Sequence, residues 1–282
     1  MKKTKLYLNH AGYCLAKENH AIKGGRKINV QFHALWGLIQ HPENGYILFD
    51  TGYTSRFFEA TKRFPNKIYA LITKVKISPE EEVVTQLKKH GVEPKDIKHI
   101  IISHFHGDHI GGLKDFPNAT FYCSSKALKH TINKHSLFAF SKGILKSLLP
   151  KNFEERTIQI DKHCEKLHDP IFGHKYDLFS DNSIYVYSLP GHAAGQIGIQ
   201  LETEKKIYFL IADASWYRRS FENNILPNSI VKLFFHSWSD FKDSLEKIHH
   251  FYLQNPNVEI VPTHCIETTS KLIRTKITMD VL

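Results

Sequence analysis

The sequence predicts a layered α/β protein. Three observations carry that expectation across its 282 residues. Short apolar runs of strand character alternate with stretches of helical spacing, in two similar halves. Histidine or aspartate repeatedly follows the last residue of such a run. No internal repeat, low-complexity tract or Gly/Ser linker divides the chain, so one domain over 1–282 is expected.

In chain order, Ile28 to Ile39 reads as a strand, and Pro42-Glu43-Asn44-Gly45 as a turn. Tyr46 to Phe49 is a short buried strand that ends at Asp50-Thr51-Gly52. A helix follows with clear signals: Ser78 as N-cap, Pro79 at the first helical position and Glu81 closing a capping box. Val83, Val84 and Leu87 form its apolar stripe, and Gly91 stops it. Ile97 to Ser103 is a buried strand that delivers the chain to His104, and Thr120 to Cys123 is another. A helical insertion is expected at about 126–150, closed by Pro150. Strands return at Ser183 to Leu189, Ile197 to Leu201 and Ile207 to Ile211. A helix from Asp240 to about Gln254 carries Phe241, Leu245, Ile248 and Tyr252 on one face, and Val258 to Val261 leads to His264.

Lysine and arginine outnumber acids 38 to 28, a formal charge of +10. That balance admits an anionic partner, but the lysines are scattered, as on a solvated surface. No apolar run approaches the roughly 18 residues of a membrane span. Met1-Lys2-Lys3 is followed by Asn9, His10 and Lys17, which break any signal-peptide core. Cys14, Cys123, Cys164 and Cys265 form no C-x-x-C pair, so a reduced, cytoplasmic protein is expected rather than a disulfide framework.

Histidine is the anomaly, with 19 copies. Ser103-His104-Phe105-His106-Gly107-Asp108-His109 packs three imidazoles and a carboxylate after a buried strand. These are ligands for zinc, manganese or iron, with no thiolate nearby. His104 and His106 alternate and can chelate one ion from the same side of an extended chain. Asp108 and His109 fall where the loop turns and can reach a second ion. Gly111-Gly112 is expected to let the backbone turn sharply. Any one such histidine is more often a satisfied polar residue, but the joint pattern is hard to produce as loop decoration.

H-x-H-x-D-H after a strand resembles the signature of the metallo-β-lactamase superfamily, and the likeness extends over nearly the full chain. Phe49-Asp50-Thr51-Gly52 is similar to the family's early D-T-G motif, whose aspartate supports the metal site from behind the ligands. Leu189-Pro190-Gly191-His192 resembles its P-G-H motif, Ile211-Ala212-Asp213 the strand end with a bridging aspartate, and Val261-Pro262-Thr263-His264 its late histidine. The resemblance implies a four-layer αβ/βα sandwich holding two divalent ions, zinc first, with manganese and iron as alternatives. One ion would take His104, His106 and His192; the other would take Asp108, His109 and His264, with Asp213 between them. Such a pair holds a bridging hydroxide and polarises a substrate oxygen. Asp108 would shuttle the proton, and Asp50 would orient a ligand.

Asp213-Ala214-Ser215-Trp216, continuing to Phe221-Glu222, is similar to the same segment of the acyl-homoserine-lactone lactonases. In those enzymes a tyrosine three residues after the bridging aspartate hydrogen-bonds the lactone. Here that place is held by Trp216, and the adjacent Tyr217 either substitutes or faces solvent. A second departure is Gln196, where many relatives carry histidine. The resemblance implies a small-molecule substrate with an apolar acyl part, a lactone or related ester. Ser136 to Leu149 reads first as a core-packed helix and second as a wall of an apolar pocket, with Phe138 as a substrate contact and Phe234, Phe235 and Trp238 adding to it. Glyoxalase II-like relatives add a helical region, for which the 18 residues after His264 (282 − 264) are too few. A phosphodiesterase or nuclease is the alternative kept open by the basic charge, though aromatic and basic residues do not interleave as in nucleic-acid grooves. A non-catalytic ligand-binding protein of this fold would be expected to have lost a ligand, and none is missing.

Overall fold

The computed structural model describes residues 2–133 and 142–274. One mixed sheet contains β1 (Lys5–Lys17), β2 (Asn29–His41), β3 (Gly45–Phe49), β4 (Lys74–Lys76), β5 (Ile97–Ile101), β6 (Thr120–Cys123) and β7 (Thr157–Gln159), in the order β4-β1-β2-β3-β5-β6-β7. The other contains β8 (Glu165–Asp169), β9 (Gly173–Asp177), β10 (Ile184–Ser188), β11 (Ile197–Glu202), β12 (Ile207–Ala212) and β13 (Val258–Pro262), in the order β13-β12-β11-β10-β9-β8.

Side-chain alternation turns these strands into layers. Leu35, Ile39, Ile47, Phe49 and Ile101 of the first sheet meet Ile184, Val186, Ile199, Leu201 and Leu210 of the second in one buried cluster between the sheets. On the opposite face of the first sheet, Trp36, Leu38, Leu48 and Ile100 pack against Val83 and Leu87 of the helix Val83–Lys89 and against Ala127 and Leu128 of the helix Ser125–Asn133. On the outer face of the second sheet, Tyr187, Phe209, Ile211 and Ile260 pack against Phe241, Leu245, Ile248 and Phe251 of the helix Trp238–Gln254. The result is the expected αβ/βα sandwich. Central strands are covered on both faces, which is why they read as continuous apolar runs.

Three expectations need correction, and two features were not expected. The capping box forms, with Ser78 N–H donating to Glu81 Oε2 at 2.9 Å, but it closes a single 3-10 turn over Pro79–Glu81. Glu82 then goes extended (ψ 140°) with its carboxylate accepting the Ser55 N–H at 2.7 Å, so the helix restarts at Val83. The proposed helical stretch at 126–150 is helical only over Ser125–Asn133 among the described residues; Ile144 bridges to His106, and Lys146–Leu148 is a 3-10 turn. The helix expected from Asp240 begins at Trp238, with Ser237 Oγ accepting the Asp240 N–H. The long strand β1 was not anticipated, because a register shift between His10 and Tyr13 breaks its alternation. The edge pair β8 and β9 was also missed, being polar and half-exposed. No helix among the described residues is long and apolar enough to cross a membrane.

Ile199 is fully buried between the sheets. Truncation to alanine leaves a cavity that two closely packed sheets cannot fully close, and Ile199→Ala is expected to cost about 2–5 kcal/mol in urea unfolding.

Candidate metal centre

Strand ends assemble the site. β3 and β5 run parallel, so Asp50 and the segment Ser103–His109 leave the same end of the first sheet. β12 and β13 are parallel in the second sheet and bring Asp213 and His264 side by side. His192 follows β10, and the two sheets are tied at this end by the Ile197 N–H, which donates to the Ser103 carbonyl at 3.0 Å. Ala212 takes a left-handed φ of 48°, coinciding with the register shift between β12 and β13 that turns Asp213 into the site.

Glycine in the centre serves close approach more than sharp turning. Gly111 has an ordinary helical φ of −57°, contrary to the expected tight turn. A Cβ there would lie 2.5 Å from the Gly52 carbonyl oxygen. The D-T-G segment grips the helical turn Gly107–Ile110 and the residues after it. Thr51 N–H and Oγ both donate to the His109 carbonyl, Gly111 N–H donates to Gly52, and Thr54 Oγ donates to Gly111. Gly191 (φ 130°) likewise lies against Phe241, whose backbone nitrogen would be 2.1 Å from an added Cβ.

Hydrogen bonds behind the imidazoles determine which nitrogens face inward. Asp50 is fully buried; Oδ1 accepts the Ser103 N–H at 2.8 Å, and Oδ2 accepts Ser103 Oγ–H and His109 Nδ1–H, each at 2.7 Å. Ser103 Oγ, its proton given to Asp50, accepts from His104 Nδ1 at 3.0 Å. His264 Nδ1 donates to the His33 carbonyl at 2.9 Å. The inward atoms are therefore Nε2 of His104, His109 and His264, together with His106 Nδ1 and His192 Nε2.

Those atoms form three overlapping groups: His104, His106 and His192; Asp108, His109 and His264; and His104, His109 and Asp213. Within each group the donor atoms lie within 4.8 Å of one another. His106 Nδ1 is 3.0 Å from both His104 Nε2 and His192 Nε2, and His264 Nε2 is 3.0 Å from Asp213 Oδ2. Burial holds His104 and His192 well below the ordinary imidazole range, so they stand neutral with lone pairs available. Burial opposes charge on His109 as well, but Asp108, Asp50 and Asp213 together raise it well above that range. Burial raises Asp213, and His264, His109 and His192 outweigh it, holding the carboxyl well below its usual value.

This donor set fits divalent metal. His109 Nε2 and Asp213 Oδ1 are buried, 3.5 Å apart and without a hydrogen-bond partner. Converging lone pairs and orphaned polar atoms at this density suit a bound cation, and each of the three groups could hold one.

Comparison with known proteins agrees. The sequence model of the metallo-beta-lactamase superfamily matches residues 30–251. The chain belongs to that superfamily. An N-acyl homoserine lactonase of Bacillus cereus is 26% identical over 225 residues, 78% of this chain and 80% of the relative. The N-acyl homoserine lactonase AttM of Rhizobium radiobacter is 24% identical over 267 residues, 94% of each chain. Among solved structures, a Bacillus thuringiensis AiiA variant with N-decanoyl-L-homoserine at its active site superposes with a TM-score of 0.72 at 20% identity, covering 96% of this chain and 97% of that one.

This metallo-beta-lactamase superfamily member is a metal-dependent hydrolase, and its donor groups line a cavity of about 810 Å³. Its lining includes His106, Asp108, His192, Asp213 and His264, with Phe32, Tyr53, Tyr69 and Trp216, and the exposed Ile68, Ile72, Leu233 and Phe234 mark its outer part. Trp216 lines the cavity as expected, but its indole N–H donates to Asp213 Oδ2 at 3.2 Å and is thus engaged by a ligand candidate. Tyr217 neither reaches the cavity nor faces solvent. Its ring is buried with Phe32, Ala21, Ile22 and Cys265 and is not among the cavity-lining residues. Phe234 lines the cavity, while Phe235 is buried behind it against Trp216 and His192, and Trp238 packs in the outer helix layer. Phe138 lies outside the described residues. Gln196 is fully buried, and neither polar atom of its amide finds a partner among the described residues. Ser103, Tyr53 and Tyr69 were missed: Ser103 read only as the end of a strand, and nothing local marks either tyrosine.

Asp50→Asn tests the wiring behind the ligands. The Ser103 N–H requires an oxygen at Oδ1, which places the new amide NH2 opposite His109 Nδ1 and pushes the histidine proton onto Nε2. Bound metal, measured by elemental analysis against free-metal buffers, is expected to weaken about 10–100-fold.

Proposed function

We propose that this hydrolase opens the ring of an N-acyl-homoserine-lactone-like substrate, or cleaves a closely related ester. The observation that carries the reading is that His106, Asp108, His192, Asp213 and His264 line one cavity together with apolar and aromatic side chains, with His104 and His109 buried beside them. Polar chemistry and apolar surface in one cavity suit a polar ring joined to an acyl chain. The named lactonase relatives support the same substrate class.

His104, His106 and His192 would hold one divalent ion and Asp108, His109 and His264 the other, with Asp213 shared. Zinc is the first assignment from imidazole and carboxylate donors. When bound, such a pair activates water near neutral pH and polarises the carbonyl. The chain's own residues would do the rest. Asp108 faces the cavity and takes a proton from the attacking water, then returns it to the leaving alkoxide. Asp50 and Ser103 keep His104 and His109 in the tautomers that present Nε2. Trp216 holds Asp213 Oδ2. Phe32 and the two wall tyrosines exclude water from the acyl chain. Tyr53 and Tyr69 are the tyrosines that line the cavity among the described residues, and one of them would take the lactone-binding role. Four unpaired cysteines fit a reducing compartment, the cytoplasm.

The test is hydrolysis of short- and long-chain N-acyl-homoserine lactones by metal-loaded protein. Ring opening is expected, with Asp108→Ala lowering kcat by about 10²–10⁴-fold. Absence of ring opening by protein carrying two metals would contradict the reading, and turnover of phosphodiesters or RNA in its place would support the nuclease alternative. Tyr217→Phe is expected to leave kcat/KM unchanged, whereas one of Tyr53→Phe and Tyr69→Phe lowers it. The reverse pattern would return Tyr217 to the site.

A further inference from the structure

The opening of the cavity carries several exposed large apolar side chains. One rim is the segment that includes the helix Lys67–Ile72; the other is the 3-10 turn Ser229–Leu233 with Phe234 after it. Ile68, Ile72, Leu233 and Phe234 line the cavity and are also exposed. On the same two segments Phe64, Leu71 and Ile230 are 70%, 63% and 54% exposed, and Leu233 reaches 80%. Large apolar side chains concentrated on two segments around one opening mark an interaction surface, unlike singly scattered ones.

Charge identifies the partner. Lys62, Arg63, Lys67, Lys74 and Lys232 are exposed on these same segments, and none forms an ion pair with a described residue. Glu59 is the only acid in the sequence from 55 to 76, and 229 to 236 contains none. Lys67 Nζ lies 5.8 Å from the Phe64 ring and Lys232 Nζ 5.2 Å from the Trp238 ring, so the cations stand beside aromatic surface. A second copy seated symmetrically on this face would set these cations against their own kind. A surface of anionic headgroups over hydrocarbon matches both features at once.

We propose that the cavity rim docks on an anionic lipid bilayer. Leu71, Ile230, Leu233 and Phe64 enter the headgroup–acyl boundary while Lys62, Arg63, Lys67, Lys74 and Lys232 meet lipid phosphates, their long side chains lying along the apolar surface. The cavity then opens towards the membrane, and an amphiphilic substrate enters from the bilayer. That last consequence rests on the acyl-substrate reading above; the docking does not.

The experiment is co-sedimentation of the metal-loaded full-length protein with vesicles of phosphatidylcholine alone and of phosphatidylcholine with phosphatidylglycerol, without substrate. Binding to the anionic vesicles only is expected, weakening as salt rises. The triple change Lys62→Glu, Arg63→Glu and Lys67→Glu should weaken it on the order of a hundredfold. The pair Leu71→Ser and Ile230→Ser should weaken it without changing the salt dependence. Circular dichroism and the melting temperature of each variant check that the fold is kept, as substitutions at exposed positions predict. No binding to anionic vesicles overturns the proposal, as does binding that neither set of changes weakens. A dimer in light scattering that Leu71→Ser and Ile230→Ser dissolve, with no vesicle binding, would reassign the face to a second copy. Lactone turnover is not part of the readout, so this test and the lactonase test fail independently.

Discussion

One buried carboxylate organises the centre. Asp50 ends β3 with a left-handed φ of 58°, and its two oxygens accept three hydrogen bonds from Ser103 and His109. A charge removed from water in this way is costly unless every lone pair is matched. Burial accordingly raises its pKa, with His109 and Ser103 opposing the shift. The matching partners are the strand end and the helical turn that carry the donors, so satisfying Asp50 and shaping the centre are the same act. His109 is oriented directly, and His104 through Ser103 Oγ. Thr51 and Gly52 hold the helical turn that presents Asp108 by backbone and hydroxyl contacts to His109 and Gly111.

The second sheet completes what the first begins. His192, Asp213 and His264 come from three different strand ends, and parallel pairing of β12 with β13 sets the last two together. The inter-sheet cluster of Ile199, Leu201, Ile47 and Phe49 therefore has a functional consequence, since it fixes the distance between the two halves of the donor set. Such tightly packed cores deform little, which suits a site whose ligands must be held to a fraction of an ångström.

Much of this was legible in the sequence because the relevant signals are local. An apolar run followed by a histidine or aspartate of the centre appears at Asp50, His104, His192, Asp213 and His264, and each run became a strand ending there. What was not legible depends on distant contacts. The strand β1 is disguised by its register shift, and Glu82 breaks an otherwise well-signalled helix because Ser55, 27 residues away, needs its carboxylate. Gly111 looked like a turn residue, whereas the approach of Gly52 is what excludes a side chain there. Trp216 and Tyr217 are neighbours in sequence, yet one turns to Asp213 and the other into a separate apolar cluster, a choice made by Phe32 and Cys265 from elsewhere in the chain. Tyr53 and Tyr69 reach the cavity by tertiary folding alone.

That these side chains would hold two ions sharing Asp213 can be read from anomalous diffraction by crystals of the zinc-loaded protein at the zinc absorption edge. Two peaks about 3.5–4 Å apart are expected, one bonded to His104, His106 and His192, the other to Asp108, His109 and His264, with Asp213 between them. A single peak at saturating zinc, or a second one held by other side chains, would contradict the account.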